Sequence, residues 1–281
     1  MHEKRSVELS GAQETLLFTL YGRAVETGRP RRLLSDPKAV EMIDAIDYEF
    51  SRFDGTYSLR GCVVRTAILD HWVQAFLDRH PAGTVIEIGT GLNTRFERLD
   101  NGQVSWVDLD LPDVIALRRH FFTDTARRRM IAASVVDEAW PDVAREFPGP
   151  YFLVAEGSLV YLSPADAHRA LRLIAERFPG SRLAFDTNGR WIVEQQAKHD
   201  VLKNFVRLSW ACDDPRQLEQ VAPGLRLRES RTFARIPRAV ASRIPFAFRL
   251  RAQGGAPFRA PGRAYRLNLF DVGPAPERPR G

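Results

Sequence analysis

The chain has 281 residues, a formal net charge of +6 at pH 7 and a hydrophobic fraction of 44%, a length and composition that support a substantial core without disulfides. Its two cysteines, Cys62 and Cys212, and its histidines have no metal-ligand spacing, so we expect no metal site and a reducing, cytoplasmic location. Because no apolar run approaches the ~20 residues of a membrane span and the arginines are scattered among acids rather than forming a basic stripe, we expect neither membrane nor nucleic-acid binding.

The first third of the chain has the apolar spacing of helices. Residues 12–27 form an amphipathic helix that ends before Gly28. A second helix is predicted over residues 36–50, with Asp36 as its N-cap because a carboxylate accepts hydrogen bonds from the free amides of a first turn. Residues 62–79 form a third amphipathic helix.

From Thr84 onward, short apolar strands alternate with helices. Strands are predicted at 84–88, 104–108, 129–133, 151–155 and 182–187, and helices at 93–99, 112–125, 138–147, 164–178 and from about 190. Continuous apolar strands are expected when helices cover both faces of a sheet. Alternation of this kind predicts βαβ units and a doubly wound parallel sheet. Two further strands are predicted near 225–233 and 264–271, before a Pro-, Arg- and Gly-rich tail over 273–281.

A glycine-rich turn follows the first strand, in the segment Glu87-Ile-Gly89-Thr-Gly91. Glycines at such a turn adopt positive φ and let the backbone approach a ligand closely. A dinucleotide-binding turn has a third glycine, and that position is Thr94 here. Since bulky charged residues follow Thr94, the turn favours a ligand without pyrophosphate, and S-adenosylmethionine is such a ligand. An NAD-dependent oxidoreductase is the first alternative.

Polar side chains follow the next two strands at the same predicted edge of the sheet. Asp108 and Asp110 lie 19 and 21 residues after Gly89, near the spacing of the acid that binds ribose hydroxyls. We expect Asp110 at the ligand crevice and Asp108 within the strand. The segment from Ser134 to Asp137 follows the third strand, where this fold reaches adenine, although Asp137 is equally suited to cap the next helix.

An acid and an arginine complete the predicted crevice. Glu156 directly follows the fourth strand, and the carboxyl ends of strands in an open α/β sheet face the ligand. Its carboxylate is expected to hold the cofactor's ammonium group or to meet the substrate. Arg65 lies among apolar residues of the third helix and must find an anion. Its candidate partners are the cofactor's carboxylate and Asp70.

Seven segments carry a further signal through their order and spacing: ETLLFTLYGRAVE at 14–26, LSDPKA at 34–39, RT at 65–66 with Asp70, EIGTGLNTR at 87–95, WVDLDLP at 106–112, SVVDEAW at 134–140 and AEGSLVYL at 155–162. Together they resemble the leucine carboxyl methyltransferase family, in its bacterial branch similar to polyketide O-methyltransferases. The resemblance implies an α/β fold with the Rossmann-like sheet of class I methyltransferases, mostly parallel with an antiparallel last strand. It also implies a helical cap at 1–81 over substrate and cofactor, an S-adenosylmethionine-binding domain at 82–272 and a flexible tail at 273–281.

The resemblance implies roles for residues at matching positions. S-adenosylmethionine, which becomes S-adenosylhomocysteine as product, would be bound by Arg65, Glu87, Gly89, Gly91, Asp108, Asp110, Leu111, Ser134, Val135, Asp137 and Glu156. In this assignment Arg65 binds the cofactor's carboxylate, Asp110 its ribose and Glu156 its amino group, while Tyr161 lies near the substrate. The chain departs from the family at Asn93, where many members have Asp.

The implied activity is methyl transfer to oxygen, with a carboxylate of a small molecule or peptide in secondary metabolism as the first expectation. An ionised carboxylate needs no general base, so catalysis rests on proximity, orientation and desolvation. Arg23 is expected to orient this anion, and Glu156 and Tyr161 complete the predicted catalytic set. The alternatives are a hydroxyl of a polyketide-like substrate, for which Tyr161 or a histidine would act as base, and a non-catalytic scaffold that binds S-adenosylmethionine. The oligomeric state stays open.

Overall fold

The computed structural model describes residues 5–6, 14–198, 207–233, 235–244 and 264–274. The β-strands in these ranges are β1 (Arg5–Ser6), β2 (Ile46–Asp47), β3 (Thr84–Ile88), β4 (Ser105–Asp110), β5 (Arg128–Ala132), β6 (Tyr151–Ala155), β7 (Arg182–Asn188), β8 (Leu225–Arg231) and β9 (Tyr265–Val272). The α-helices are α1 (Glu14–Thr27), α2 (Pro37–Ala45), α3 (Tyr57–Leu77), α4 (Arg95–Leu99), α5 (Pro112–Arg118), α6 (Trp140–Ala144), α7 (Pro164–Arg177), α8 (Arg190–Gln195), α9 (Leu218–Val221) and α10 (Arg238–Ala241). Residues 12–13 of the first predicted helix and 275–281 of the predicted tail lie outside the described residues.

Seven strands form one mixed sheet in the order β5-β4-β3-β6-β7-β9-β8, while β1 and β2 form a separate parallel pair. The strands from β3 to β7 are parallel, whereas β9 is antiparallel to both of its neighbours. The predicted α/β fold with an antiparallel last strand is therefore confirmed. The chain moves outward from β3 to β5 and returns to β6 on the other side of β3. Ligands of open α/β sheets bind beyond the carboxyl ends of the strands at such a reversal.

Helices cover both faces of the sheet and bury its apolar strands. On one face, α3 contributes Val64 and Ile68 to the core that contains Val85 of β3. On the other face, α7 contributes Ile174 to the core that contains Leu153 of β6. Each such side chain stabilises the fold by roughly 1.5–3 kcal/mol when fully buried. These two cores hold the carboxyl ends of β3 and β6 in a rigid frame.

The N-terminal helices form a third core beside the sheet. Leu20 of α1 and Met42 of α2 are fully buried in it, and α1 also lies against α3, where Gly22 faces Leu59. Asp36 caps α2 as predicted, because its side chain accepts a hydrogen bond from the first turn. The helix α3 packs on the sheet as well as on α1, so it groups with the sheet, and a boundary at residue 81 stays a prediction.

Element boundaries differ from the predictions mainly at helices. The strands at 84–88 and 151–155 are confirmed. Helix α3 begins at Tyr57 rather than at residue 62, so Gly61 lies inside the helix and does not end it. Helix α5 ends at Arg118 rather than at residue 125. The backbone amides that follow Arg118 donate to carbonyls three or four residues earlier, as in tight turns.

In the described part of the chain, no helix is long and apolar enough to cross a membrane. The same residues contain no group of three or more His, Cys, Asp or Glu side chains that could hold a metal ion. Cys62 is a half-buried free thiol and Cys212 a buried one.

Candidate functional site

The turn after β3 has the conformation of a close-approach glycine turn. Gly89 has a φ of 65° and Gly91 a φ of 50°, in the left-handed region that favours glycine. A Cβ at Gly89 would collide with the side chain of Ser158, and one at Gly91 would lie 2.5 Å from Cδ2 of Leu16. The bare backbone therefore lets the loop after β6 and helix α1 pack directly on this turn.

Asp110 is the last residue of β4 and faces the same turn. Its Oδ2 accepts a hydrogen bond from the Gly91 amide at 2.6 Å, and its Oδ1 accepts one from the Leu111 amide at 2.8 Å. Burial raises the pKa of this carboxyl, against the effect of the two amides. Leu111 is 45% exposed although it is apolar. An acid and an exposed apolar side chain thus lie side by side at the carboxyl edge, a pairing that suits a nucleoside.

Asp108 does not reach this edge. It lies inside β4, as expected, and is fully buried. Its Oδ1 accepts hydrogen bonds from Thr90 at 2.9 Å and Arg118 at 3.0 Å, and its Oδ2 accepts one from Arg128 at 2.7 Å. The assignment of Asp108 to the cofactor is not supported by this geometry, because the fully buried side chain lies within the strand rather than at its carboxyl end.

The segment after β5 is closed by its own hydrogen bonds. The Ser134 amide donates to Oδ2 of Asp137 at 2.9 Å, and the Asp137 amide donates to the Ser134 carbonyl at 3.0 Å. The Val135 carbonyl accepts from the Trp140 indole at 3.0 Å. Asp137 therefore stabilises this turn and is not the N-cap of α6, which begins three residues later. Contact of Ser134, Val135 and Asp137 with adenine stays a prediction.

Glu156 directly follows β6 and receives hydrogen bonds from three elements. Its Oε1 accepts from Nε of Arg65 at 2.9 Å and from the Thr66 hydroxyl at 2.6 Å. Its Oε2 accepts from Asn93 at 3.3 Å and from Arg95. Burial acts to raise the pKa of Glu156, but the two guanidinium groups lower it to about 2. This carboxylate is therefore ionised at neutral pH, and it lies at the carboxyl end of β6, next to that of β3.

Arg65 connects Glu156 to a second acid. Its Nη1 donates to the Tyr265 hydroxyl at 3.2 Å and lies 3.9 Å from Oδ2 of Asp186. A Cβ on Gly157 would lie 2.9 Å from Nη1, so bare backbone faces the guanidinium plane. Across the ranges described, no atom accepts a hydrogen bond from Nη2 of Arg65. Of the three nitrogens of Arg65, Nη2 is therefore the one that the described residues leave without an acceptor.

Arg95 lies at the centre of a buried network that joins α3, β3 and β6. Its Nε donates to Oδ1 of Asp70 at 2.7 Å, its Nη1 donates to Glu87 and its Nη2 donates to Glu156. The side chain is fully buried. Three carboxylates from three elements thus share one guanidinium, which holds the glycine turn against the rest of the site.

Two predicted assignments concern residues of this network. Asp70 bonds to Arg95 and, at 2.9 Å, to Arg98, so its pairing with Arg65 is wrong. Glu87 is 1% exposed, and burial raises its pKa to about 7 against the lowering effect of Arg95. The contact described for Glu87 is this ion pair, and its contact with the cofactor stays a prediction.

Arg23 joins α1 and the start of α2 to the glycine turn. Its Nε donates to Asp36 at 2.9 Å, its Nη2 to the Leu92 carbonyl at 2.7 Å and its Nη1 to the Thr19 carbonyl at 3.2 Å. The residue is 2% exposed. The expected role of Arg23 in orienting an anionic substrate is not supported, because the guanidinium is buried and all three nitrogens bond to the protein.

Tyr161 ends a short 3₁₀ helix after β6 and is half-buried. Burial raises the pKa of its hydroxyl, and a hydrogen bond with Thr15 of α1 opposes this rise. The side chain thus lies between the loop after β6 and α1. Its role near the substrate stays a prediction.

Comparison with known proteins identifies the family. Residues 17–175, more than half of the chain, match the family model described as leucine carboxyl methyltransferase. The chain belongs to this family. It is 37% identical over 228 residues to the tetracenomycin polyketide synthesis O-methyltransferase TcmP of Streptomyces glaucescens, covering 80% of this chain and 84% of that protein. It is 30% identical over 251 residues to the S-adenosyl-L-methionine-dependent methyltransferase dpfgK of Gibberella zeae, covering 81% and 84%.

Family membership and these relatives make the chain an S-adenosylmethionine-dependent O-methyltransferase. The family resemblance, the enzyme class and the cofactor predicted from the sequence are thereby confirmed. A solved O-methyltransferase family protein from Burkholderia thailandensis matches 93% of this chain and 70% of that chain, with 15% identity and a TM-score of 0.44. A likeness of this size decides nothing about the activity.

Three residues of this methyltransferase site were missed from the sequence. In the sequence Arg95 is one of the bulky charged residues after the turn, and no nearby residue indicates the three acids that it binds in the fold. Asp186 and Tyr265 are 79 residues apart in the chain, and no local pattern pairs them. Only the antiparallel placement of β9 beside β7 brings them together.

Proposed function

We propose that this chain methylates a hydroxyl oxygen of a polyketide-like small molecule. The relative from S. glaucescens is named as a polyketide synthesis O-methyltransferase, which supports this class of acceptor. The family description names a carboxyl acceptor. The carboxylate expected from the sequence is therefore the competing proposal.

The residues at the carboxyl edge suit S-adenosylmethionine by chemical type. The remaining donor of Arg65 suits a carboxylate, and the ionised Glu156 suits an ammonium group. Asp110 suits ribose hydroxyls, and the exposed side chain of Leu111 suits the adenine ring. The cofactor supplies a methyl group carried on a sulfonium, so the work of the chain's own residues is to bind, orient and desolvate.

The arginines of the site already pair with acids of the protein, and this observation favours a hydroxyl acceptor over a carboxylate. In residues 14–198, Arg95 bonds to three carboxylates and Arg23 to Asp36 and two carbonyls. Arg65 has one nitrogen left, which the cofactor's own carboxylate would use. A carboxylate acceptor buried beside them would need a further cation or several donors. A hydroxyl is neutral until it reacts and needs neither.

A hydroxyl acceptor must lose its proton during transfer. Glu156, with a pKa of about 2, is a weak base. Burial raises the pKa of Tyr161, which therefore stays protonated at neutral pH and acts as a hydrogen-bond donor rather than a base. Ionisation of the acceptor itself then supplies the nucleophile. For a phenol, kcat/KM is expected to rise about tenfold per pH unit below the pKa of the acceptor.

Two acceptors built on one aromatic polyketide core test the proposal, one with a phenol and no carboxylate, the other with a carboxylate and no phenol. Methyl transfer is measured by mass spectrometry from about pH 6 to 9. We expect transfer to the phenol, with kcat/KM rising over this range. Transfer to the carboxylate alone, with a flat kcat, would refute the hydroxyl acceptor. Tight binding of S-adenosylhomocysteine without transfer to either core would refute an acceptor of this polyketide type.

A further inference from the structure

A tyrosine and an aspartate from the last strands of the sheet hold one end of Arg65. The Tyr265 hydroxyl accepts a hydrogen bond from Nη1 of Arg65 at 3.2 Å and donates one to Oδ2 of Asp186. The other oxygen of Asp186 accepts from the Gly157 amide at 2.7 Å. Both oxygens of this acid are thus occupied, and the hydroxyl has one donor and one acceptor.

This arrangement lies in the interior of the protein and outside the family match. Asp186 is 1% exposed, and it lies on β7, which pairs with β9 in antiparallel register from Arg182 to Asn188. Tyr265 is the first residue of β9 and pairs with Asn188 at the end of that register. Neither residue belongs to the matched segment, 17–175. The register of the sheet therefore fixes where the hydroxyl meets the guanidinium.

We propose that Tyr265 and Asp186 position Arg65 so that its Nη2 faces the carboxylate of the cofactor. Nε of Arg65 is held by Glu156 and Nη1 by the tyrosine hydroxyl. Two fixed nitrogens define the plane of a rigid guanidinium and leave the third with one direction. The inference rests on the assignment of Arg65 to the cofactor carboxylate under the proposed function.

The hydroxyl also bonds to both members of an ion pair. Nη1 of Arg65 lies 3.9 Å from Oδ2 of Asp186 with the tyrosine oxygen bonded to both. Without that oxygen, Asp186 loses a donor and attracts the guanidinium directly, since a buried carboxylate requires hydrogen-bond partners. Arg65 then turns toward the acid, and Nη2 turns away from the ligand.

Two ligands and a matched control separate positioning from general damage. S-adenosylhomocysteine carries the carboxylate, whereas decarboxylated S-adenosylhomocysteine keeps the adenosine, the thioether and the amino group without it. Calorimetry of Tyr265→Phe is expected to show a loss of about tenfold for S-adenosylhomocysteine, as for one hydrogen bond to a charged group. The loss for the decarboxylated ligand should stay below about twofold. Tyr151→Phe, which removes a 2.7 Å hydroxyl bond to the Phe147 carbonyl at the far end of β6, should change neither affinity.

Two further variants decide which assumption fails. Asp186→Asn keeps the size of the side chain and should reproduce the selective loss, which maintains the test if Tyr265→Phe folds poorly. Arg65→Ala should also lose affinity only for the ligand with the carboxylate. If Arg65→Ala is selective and neither Tyr265→Phe nor Asp186→Asn is, the positioning role is overturned while the Arg65 assignment stands. If Arg65→Ala weakens both ligands equally, the assignment itself fails, independently of the acceptor experiment.

Discussion

Arg95→Met is the sharpest test of the buried network behind the glycine turn. Methionine fills a similar space without charge. After the change, Asp70 still has Arg98 at 2.9 Å, and Glu156 still has Arg65 at 2.9 Å. Of the three carboxylates that Arg95 bonds, two therefore keep a cation. The cost is that of one uncompensated charge and not of three.

The carboxylate left alone is Glu87, whose Oε1 bonds to Arg95 and whose Oε2 has no partner within the described residues. Removing one member of a buried ion pair costs about 3–5 kcal/mol. At about 2 °C or slightly more per kcal/mol for a chain of this size, Tm should fall by roughly 6–15 °C. Because the pKa of Glu87 is about 7, this acid carries a proton at about pH 6 and needs no cation there. The loss should therefore be larger at about pH 8.

Urea unfolding followed by circular dichroism at both pH values measures the loss in the free energy of unfolding. Arg129→Met is the matched control, since Arg129 pairs with Glu146 on the surface, with side chains 40% and 59% exposed. An exposed pair of this kind contributes about 1 kcal/mol or less. Equal losses for Arg95→Met and Arg129→Met, or the same loss for Arg95→Met at both pH values, would refute the central role of Arg95.

Three further predictions concern the same edge of the sheet. The folded-state pKa of Glu87, about 7, lies above its unfolded value. The free energy of unfolding of the wild type should therefore fall by up to ~3 kcal/mol as the pH rises from about 4.5 to 7. Urea titrations at several pH values should show no such fall for Glu87→Gln. Gly91→Ala should lower the free energy of unfolding by about 1–3 kcal/mol, because the residue has a positive φ and the new methyl group would contact Leu16. Gly102→Ala is the control, since Gly102 has a φ of 80° but open space around it, so only the backbone strain remains. Equal losses for the two variants would contradict the clash with Leu16. Asp110→Ala should weaken S-adenosylhomocysteine binding about tenfold in calorimetry, and an unchanged affinity would exclude Asp110 from the cofactor site.

The elements and the turn could be predicted because they depend on neighbouring residues. Short apolar runs such as 84–88 and 151–155 favour strands whatever their neighbours in the sheet are. Gly89 and Gly91 have positive φ angles, which glycine adopts without strain. Glu156 comes directly after a strand, and in a parallel sheet every such position lies at the same edge. These inferences require only the order of residues along the chain.

The partners of buried charges could not be predicted in this way. Asp108 and Asp110 are two residues apart on one strand, yet one is enclosed by Arg118 and Arg128 and the other reaches the edge. Arg23 is an inward-facing arginine that the sequence did not distinguish from a substrate-binding one. What separates these cases is which donor lies within ~3 Å, and that depends on packing between distant segments.

By itself, the sequence determined an α/β methyltransferase sheet, its glycine turn and the acids at its carboxyl edge, because periodicity, backbone freedom and family motifs are local properties. Only the tertiary structure decided which charged side chains remain for a ligand. Arg65 meets Glu156 across 91 residues and Tyr265 across 200, and such contacts depend on the strand order that places β6, β7 and β9 side by side. Because a buried charge must be paired, this packing fixes the partners of Arg23, Arg95 and Glu156 and leaves Nη2 of Arg65 without an acceptor among the described residues.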